Sequence, residues 1–234
     1  MKKSKIYWSY IDTEQQIRAK EPVPIYSNYF KGKDLQKLGL GYSKCPAFRE
    51  LLHNTFGLKS LYDYELEFKD GVASSSMHDQ AFYNTKVMIR NIESQLASFG
   101  LRYILIAEDD SLEMEYLPSF LENNVFNATT QFIPATMDIG KYVRMLDCAF
   151  HCRKNKMEIR EDDIYAYVKF KTNNEIELQR FLWTDEINKT IEDTHIGIKT
   201  YRRPTFKPLD WYYKKQQAIK TKQRVLKLIK ENLL

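Results

Sequence analysis

The chain is poor in the residues that usually mark staples, phosphate loops and proton-transfer sites. Its 234 residues include 3 cysteines, 4 histidines, 8 glycines and 7 prolines. Three cysteines, Cys45, Cys148 and Cys152, cannot all pair with one another, which argues against a secreted disulfide scaffold and for a reducing compartment. No Gly-x-x-x-x-Gly-Lys loop is present; Gly39-Leu-Gly41 lacks the lysine and the strand–turn–helix setting. No Gly-x-Ser-x-Gly nucleophile elbow is present either. Scattered histidines leave few conventional general-base constellations, which favours a binding protein over an enzyme and implies no cofactor. No run approaches the roughly 18 apolar residues of a membrane helix. The longest, Tyr103–Ala107, lies between Arg102 and Glu108 and fits one buried strand. The basic start, Met1–Ile6, is not followed by the apolar run of a signal peptide, so no targeting segment is read.

What the chain does have is aromatic residues and a lopsided charge. With 16 Tyr, 13 Phe and 43% hydrophobic residues, it is too apolar for a disordered chain and points to a sheet-rich core or a tyrosine-rich contact surface. Its length suits one large or two small domains. The net charge is +5, but residues 207–234 alone carry +6, from eight Lys and Arg against Asp210 and Glu231. The remainder is close to neutral, at −1, so the total says little about any affinity of the body for nucleic acid. We therefore divide the chain into a mixed, β-rich body, 1–206, and a basic helical docking segment, 207–234.

Periodicity predicts mostly strands. Residues 5–10 are aromatic and alternate weakly, and a short strand is expected near Ile25–Phe30. Ser43-Lys-Cys-Pro46 can open a helix whose face would hold Phe48, Leu51, Leu52 and Phe56, with Gly57 as its stop. Tyr62–Phe68 alternates cleanly and runs into an Asp70-Gly71 hairpin turn. Residues 82–99 fit strand or helix. Residues 101–107, 130–133, 142–150, 164–170 and 176–182 read as strands, separated in the second half by short polar turns at 154–156, 161–163 and 172–175. Such short gaps cannot hold parallel crossovers, so an antiparallel module is expected. Thr184 or Asp185 caps a helix through Ile187 and Ile191. The fold class expected is α+β: an antiparallel sandwich or jelly-roll-like body with peripheral helices and a long C-terminal amphipathic helix.

That helix is predicted to run unbroken over 209–234, since no Gly or Pro interrupts it. Ile219, Val225, Leu226, Ile229 and Leu233 form its apolar stripe, with Trp211-Tyr212-Tyr213 as an aromatic anchor. Its cations, Lys214, Lys215, Lys220, Lys222, Arg224, Lys227 and Lys230, permit contact with nucleic-acid phosphates. The dominance of Lys over Arg argues against reading of bases. A membrane surface is a third use of such a helix, and is not expected here. Docking of the stripe and anchor on another protein subunit is preferred.

Three short clusters merit weighing as metal or acid–base sites. Cys148-Ala-Phe-His151-Cys152 holds borderline-soft ligands, but a strand there puts both cysteines on one face and His151 on the other, as buried thiols and an edge histidine. Glu108-Asp109-Asp110 follows an apolar strand, a place suited to a divalent ion. Ile104–Asp110 resembles the strand-and-acid feature of nucleotide-sugar glycosyltransferases, with Glu108 and Asp110 as its two acids, although the preceding chain lacks that fold's βα units. His78-Asp79 is similar to the histidine and acid of jelly-roll oxygenases but lacks the intervening residue.

Taken together, Tyr7-Trp8, Lys44-Cys-Pro-Ala-Phe48, Asn54-Thr-Phe56 and Tyr165-Ala-Tyr-Val-Lys-Phe170 resemble uncharacterised proteins of tailed bacteriophages, especially marine ones. The resemblance is spread over scattered positions and includes no catalytic motif. It implies a virion part such as a neck, tail or capsid accessory protein, or a small non-virion accessory protein, placed in the virion or the host cytoplasm. The partners implied are other protein subunits, virion components or further copies of the chain. The expected activity is non-catalytic assembly; the alternatives are a metal-dependent enzyme and a non-specific nucleic-acid-binding accessory protein.

Overall fold

A computed structural model of the chain describes residues 2–11, 18–30, 45–77, 87–191 and 209–234. Strand β1 (Lys3–Tyr10) shows why its layers form. Its alternation sends Ile6, Trp8 and Tyr10 to one side and Tyr7 to the other, and both sides are buried. The long strand β7 (Leu96–Ala107) repeats this, with Tyr103, Leu105 and Ala107 on the first side and Ile104 and Ile106 on the second. A sheet apolar on both faces needs a layer on each.

The first sheet has the order β14-β1-β7-β11-β9, with β9 (Thr130–Phe132), β11 (Met145–Cys152) and β14 (Glu175–Arg180). Strand β6 (Val87–Asn91) pairs with the N-terminal half of β7, while β1 pairs with its C-terminal half. All pairs are antiparallel except β1 with β14, which is parallel, Lys3 opposite Glu175 through Trp8 opposite Arg180. The purely antiparallel expectation fails at this one pair. Short turns forbid parallel neighbours in sequence, but these two strands are joined by most of the chain.

The second sheet is antiparallel throughout, in the order β10-β8-β13-β3-β2. Its strands are β2 (Val23–Pro24), β3 (Thr55–Lys59), β8 (Met114–Pro118), β10 (Ala135–Met137) and β13 (Ile164–Phe170). A third sheet joins β4 (Tyr64–Lys69), β5 (Val72–Ser74) and β12 (Lys156–Ile159), and places Leu66, Phe68, Met157 and Ile159 in the main core. The predicted Asp70-Gly71 turn joins β4 to β5, both residues at positive φ. The result is an α+β fold of several sheets and peripheral helices.

Two sequence expectations fail in the first quarter. Ile25–Phe30 is a helix, α1, entered from Pro24, whose carbonyl accepts the Ser27 hydroxyl at 3.2 Å. Helix α2 (Pro46–Leu52) has Pro46 in its first turn as expected, but it ends before Phe56. Asn54 at φ 54° turns the chain, so Phe56 and Gly57 belong to β3. Gly57 is therefore no stop: a Cβ there would lie 2.8 Å from Ile164 Cγ2, so glycine lets β13 and β3 close up. Helices α1 and α2 cover the outer face of the second sheet, where Ile25 and Leu52 pack with Ile164 and Tyr167.

The outer face of the first sheet is covered by the C-terminal third of the chain. Helix α3 (Val125–Thr129) lies elsewhere, capped by Asn124 and burying Phe126 against Phe150. Helix α4 (residues 185–191) starts where expected, with the Ile187 N–H donating to Thr184 Oγ1 at 3.3 Å. The predicted single terminal helix is two helices, α5 (Leu209–Ala218) and α6 (Thr221–Glu231). Lys220, in the left-handed region at φ 53°, breaks it. Ile187, Ile191, Val225 and Ile229 pack on Tyr7, Ile104 and Ile106, with Phe181 and Trp183.

Candidate functional site

The acidic turn after β7 and the basic terminal helices find each other. Lys222 is 4% exposed, and its ammonium donates to the Asp110 carboxylate at 2.5 Å, to the Gly140 carbonyl at 2.5 Å and to the Glu108 carbonyl at 3.2 Å. Three N–H donors thus meet three oxygens. About two helical turns further on, Lys230 donates to Glu108 Oε1 at 2.5 Å, a bond that holds its ammonium above the usual lysine range. Asp109 accepts the Ser111 N–H and hydroxyl at 2.8 and 2.7 Å, which lowers its carboxyl below the ordinary range. The place proposed for a divalent ion holds an ammonium instead. Among the described residues, no group of three or more His, Cys, Asp or Glu is arranged to hold a metal.

Gly140 makes the Lys222 cage possible. Its N–H donates to Leu112 at 2.9 Å, and a Cβ would sit 2.6 Å from the Asp109 carbonyl and 2.7 Å from that of Asp110. Only glycine brings the two turns into such contact.

Helix α5 is anchored separately. The buried Gln216 accepts the Val143 N–H through Oε1 at 3.1 Å and donates through Nε2 to the Val143 carbonyl at 3.0 Å, so a side-chain amide satisfies both backbone groups. Tyr213 stacks on Tyr142 at 4.3 Å and accepts from Arg144 at 2.8 Å. Helix α5 is thus fixed on 142–144 and α6 on the sheet, with the break at Lys220 between them.

The sequence-predicted interface residues therefore divide. Val225 and Ile229 are buried in the chain's own core and Leu226 is half-buried beside them, so this part of the stripe is covered from within. Tyr213 is likewise engaged. Trp211, with Lys215 5.8 Å over its ring, Ile219 and Leu233 remain exposed. The Tyr212 side chain lies outside the described residues. Of the expected phosphate contacts, Lys222 and Lys230 are committed to the acidic turn, a correction to that set. Lys214, Lys215, Lys220, Arg224 and Lys227 are exposed.

The cysteine–histidine cluster lies on β11. Cys148 and Cys152 are buried on one face, where burial pushes both thiols up. His151 faces the other way and its Nδ1 donates to the Ser94 carbonyl at 3.0 Å. The strand alternation thus separates the three side chains. His78 falls outside the described residues.

One open feature escaped sequence reasoning. Strand β14 ends the first sheet, and a cleft of about 600 Å³ lies along it, lined by Trp8, Glu21, Glu177, Leu178, Arg180 and Leu234 among others. Residues 232–234 border it: the Leu182 N–H donates to the Asn232 carbonyl at 2.8 Å and the Leu234 N–H to that of Arg180 at 3.0 Å. The Arg180 guanidinium lies 5.6 Å over the Trp8 ring. No periodic signal marks such an edge, because strand order is set by distant pairing. No protein-family model matches the chain, and no curated protein matches it in sequence.

Proposed function

We propose that the protein is a non-catalytic assembly or interaction module that docks to neighbouring protein subunits, of the phage structural kind that its sequence resemblance implies. The packing of the first sheet against the second across one shared core supports a sandwich-like body. The observation that carries the docking function is an exposed apolar group at the end of the first sheet. Leu182, Leu233 and Leu234 are 42%, 44% and 70% exposed and meet at this edge through the pairing of 232–234 with 180–182, Leu182 and Leu234 toward one face and Leu233, opposite Phe181, toward the other. Large apolar side chains gathered at a sheet edge favour a protein partner.

Size-exclusion chromatography with light scattering, on mixtures with purified head, neck and tail proteins of a tailed phage, tests this. A stoichiometric complex with one of them is expected, and its loss in Leu233→Asp/Leu234→Asp with an unchanged circular dichroism spectrum. A chain that stays alone in every mixture would sink the proposal.

A second use is supported by the outer side of α5 and α6, where five exposed cations accompany the exposed Trp211. It predicts salt-sensitive binding to single-stranded nucleic acid. A flat titration at low salt rejects it.

A further inference from the structure

A strand at the end of a sheet turns every second N–H and C=O outward. In β14 the register identifies which. The Glu175 N–H donates to the Lys2 carbonyl and the Phe181 N–H to the Trp8 carbonyl, both at 3.1 Å, so odd-numbered residues face β1. Ile176, Leu178 and Arg180 face outward. Arg180 already receives Leu234, so residues 232–234 form the first rung of a further antiparallel strand. Among the described residues, no strand continues it past Ile176 and Leu178, and the cleft runs along residues 177–180.

We propose that this slot accepts an extended segment of another protein by strand addition, with the pattern apolar–basic–apolar; this names the mode of the docking proposed above and rests on it. A second copy does not fit by pairing its own β14 about a twofold axis at Leu178. Its Ile176 would then fall on the outward groups of Arg180, which Leu234 occupies. A single segment continuing the line of 232–234 meets no such block. Directly opposite residues on paired strands share a face. Side chains opposite Ile176 and Leu178, which pack against the main core, are therefore apolar. The side chain opposite Glu177 is basic: the Glu177 carboxylate accepts from Gln179 at 2.6 Å and lies 3.6 Å from Lys3 but stays one-third exposed, and Glu21 brings a second carboxylate to the cleft. Main-chain bonds to Ile176 and Leu178 give affinity, and the alternate side chains give selectivity.

The test uses the full chain and a fluorescein-labelled peptide, Thr-Val-Lys-Val-Lys-Val-Thr, followed by anisotropy and by amide hydrogen exchange. Saturable binding is expected, with slowed exchange at Ile176 and Leu178. Glu177→Lys is expected to weaken it about tenfold or more, and a peptide with Glu in place of Lys to recover binding to that variant. Leu178→Pro, which removes an outward donor that β1 does not use, is expected to abolish it. No saturable binding, or binding without protection of those two amides, overturns strand addition. If the peptide fails while Leu233→Asp/Leu234→Asp still destroys a complex with a phage component, the docking function stands and only its mode is wrong. If both fail, both fall.

Discussion

Lys222 and Asp110, 112 residues apart, meet at 2.5 Å, and they differ sharply in burial: the lysine side chain is 4% exposed, the aspartate 76%. The carboxylate stays in water, while the ammonium is held from within by the carbonyls of Glu108 and Gly140. Lys222→Met leaves those carbonyls without their donor and is expected to cost about 3 kcal/mol. Lys230→Ala, at an exposed pair, is expected to cost less than about 1 kcal/mol. Urea denaturation of both variants checks the ranking; equal losses would refute it.

Gly140→Ala places a Cβ against backbone atoms of residues 109, 110 and 112, none of which is a flexible side-chain end. A loss of about 2 kcal/mol is expected. Combined with Lys222→Met it is expected to be less than additive, since both changes open the same cage.

Gln216→Leu keeps the volume but strands both backbone groups of Val143, and is expected to cost about 2 kcal/mol. Gln216→Glu keeps an acceptor for the Val143 N–H but offers an oxygen to its carbonyl. It is expected to be no better than leucine at neutral pH, and to improve as the pH falls and the acid gains a proton.

Thiol labelling is expected to be strongly graded. Cys45 is exposed and reacts at once; Cys148 and Cys152 are buried, and their raised thiols hold little thiolate at neutral pH. They are expected to label only in denaturant. Fast labelling of all three in native conditions would contradict the placement of β11.

Acid is expected to destabilise through three carboxyls held low in the folded state: Asp109 by bonds from Ser111, Glu65 by the Ser76 hydroxyl, and Asp162 by Lys20. A depressed folded value contributes stability above the unfolded value, near 4, that is lost as the pH falls through the folded value. The urea midpoint is expected to drop below about pH 4, and Asp109→Asn to flatten part of that fall.

Local pattern made much of the sheet content legible. The alternation at 62–68 becomes strand β4 from Tyr64 on, the run 164–170 is a strand as expected, and the Asp70-Gly71 turn and the cap at Thr184 also correspond to what the chain does. What escaped was long-range or conformational. Nothing local distinguishes Lys220 from its neighbours, yet it is the residue at positive φ between the two docked helices. Tyr26 and Phe30 suit a strand by propensity, but tertiary packing makes α1 a helix. The acids at 108–110 and the lysines at 222 and 230 were each visible, as a metal candidate and as phosphate contacts. Their partnership was not, because periodicity carries no information on which distant segments meet. The cleft beside β14 was invisible for the same reason.

The parallel pairing of β1 with β14 also sets an order of events during synthesis. Strand β1 waits for residues 175–180 before one of its edges is filled, and for 225–229 before Tyr7 is covered. A nascent chain exposes an unpaired edge and an apolar face until those residues have been made. Such distant closure slows folding and prolongs vulnerability to aggregation. Ribosome-bound chains stalled short of residue 180 are accordingly expected to be protease-sensitive and to recruit holding chaperones, and chains in which residues 175–229 have emerged to become resistant in one late step.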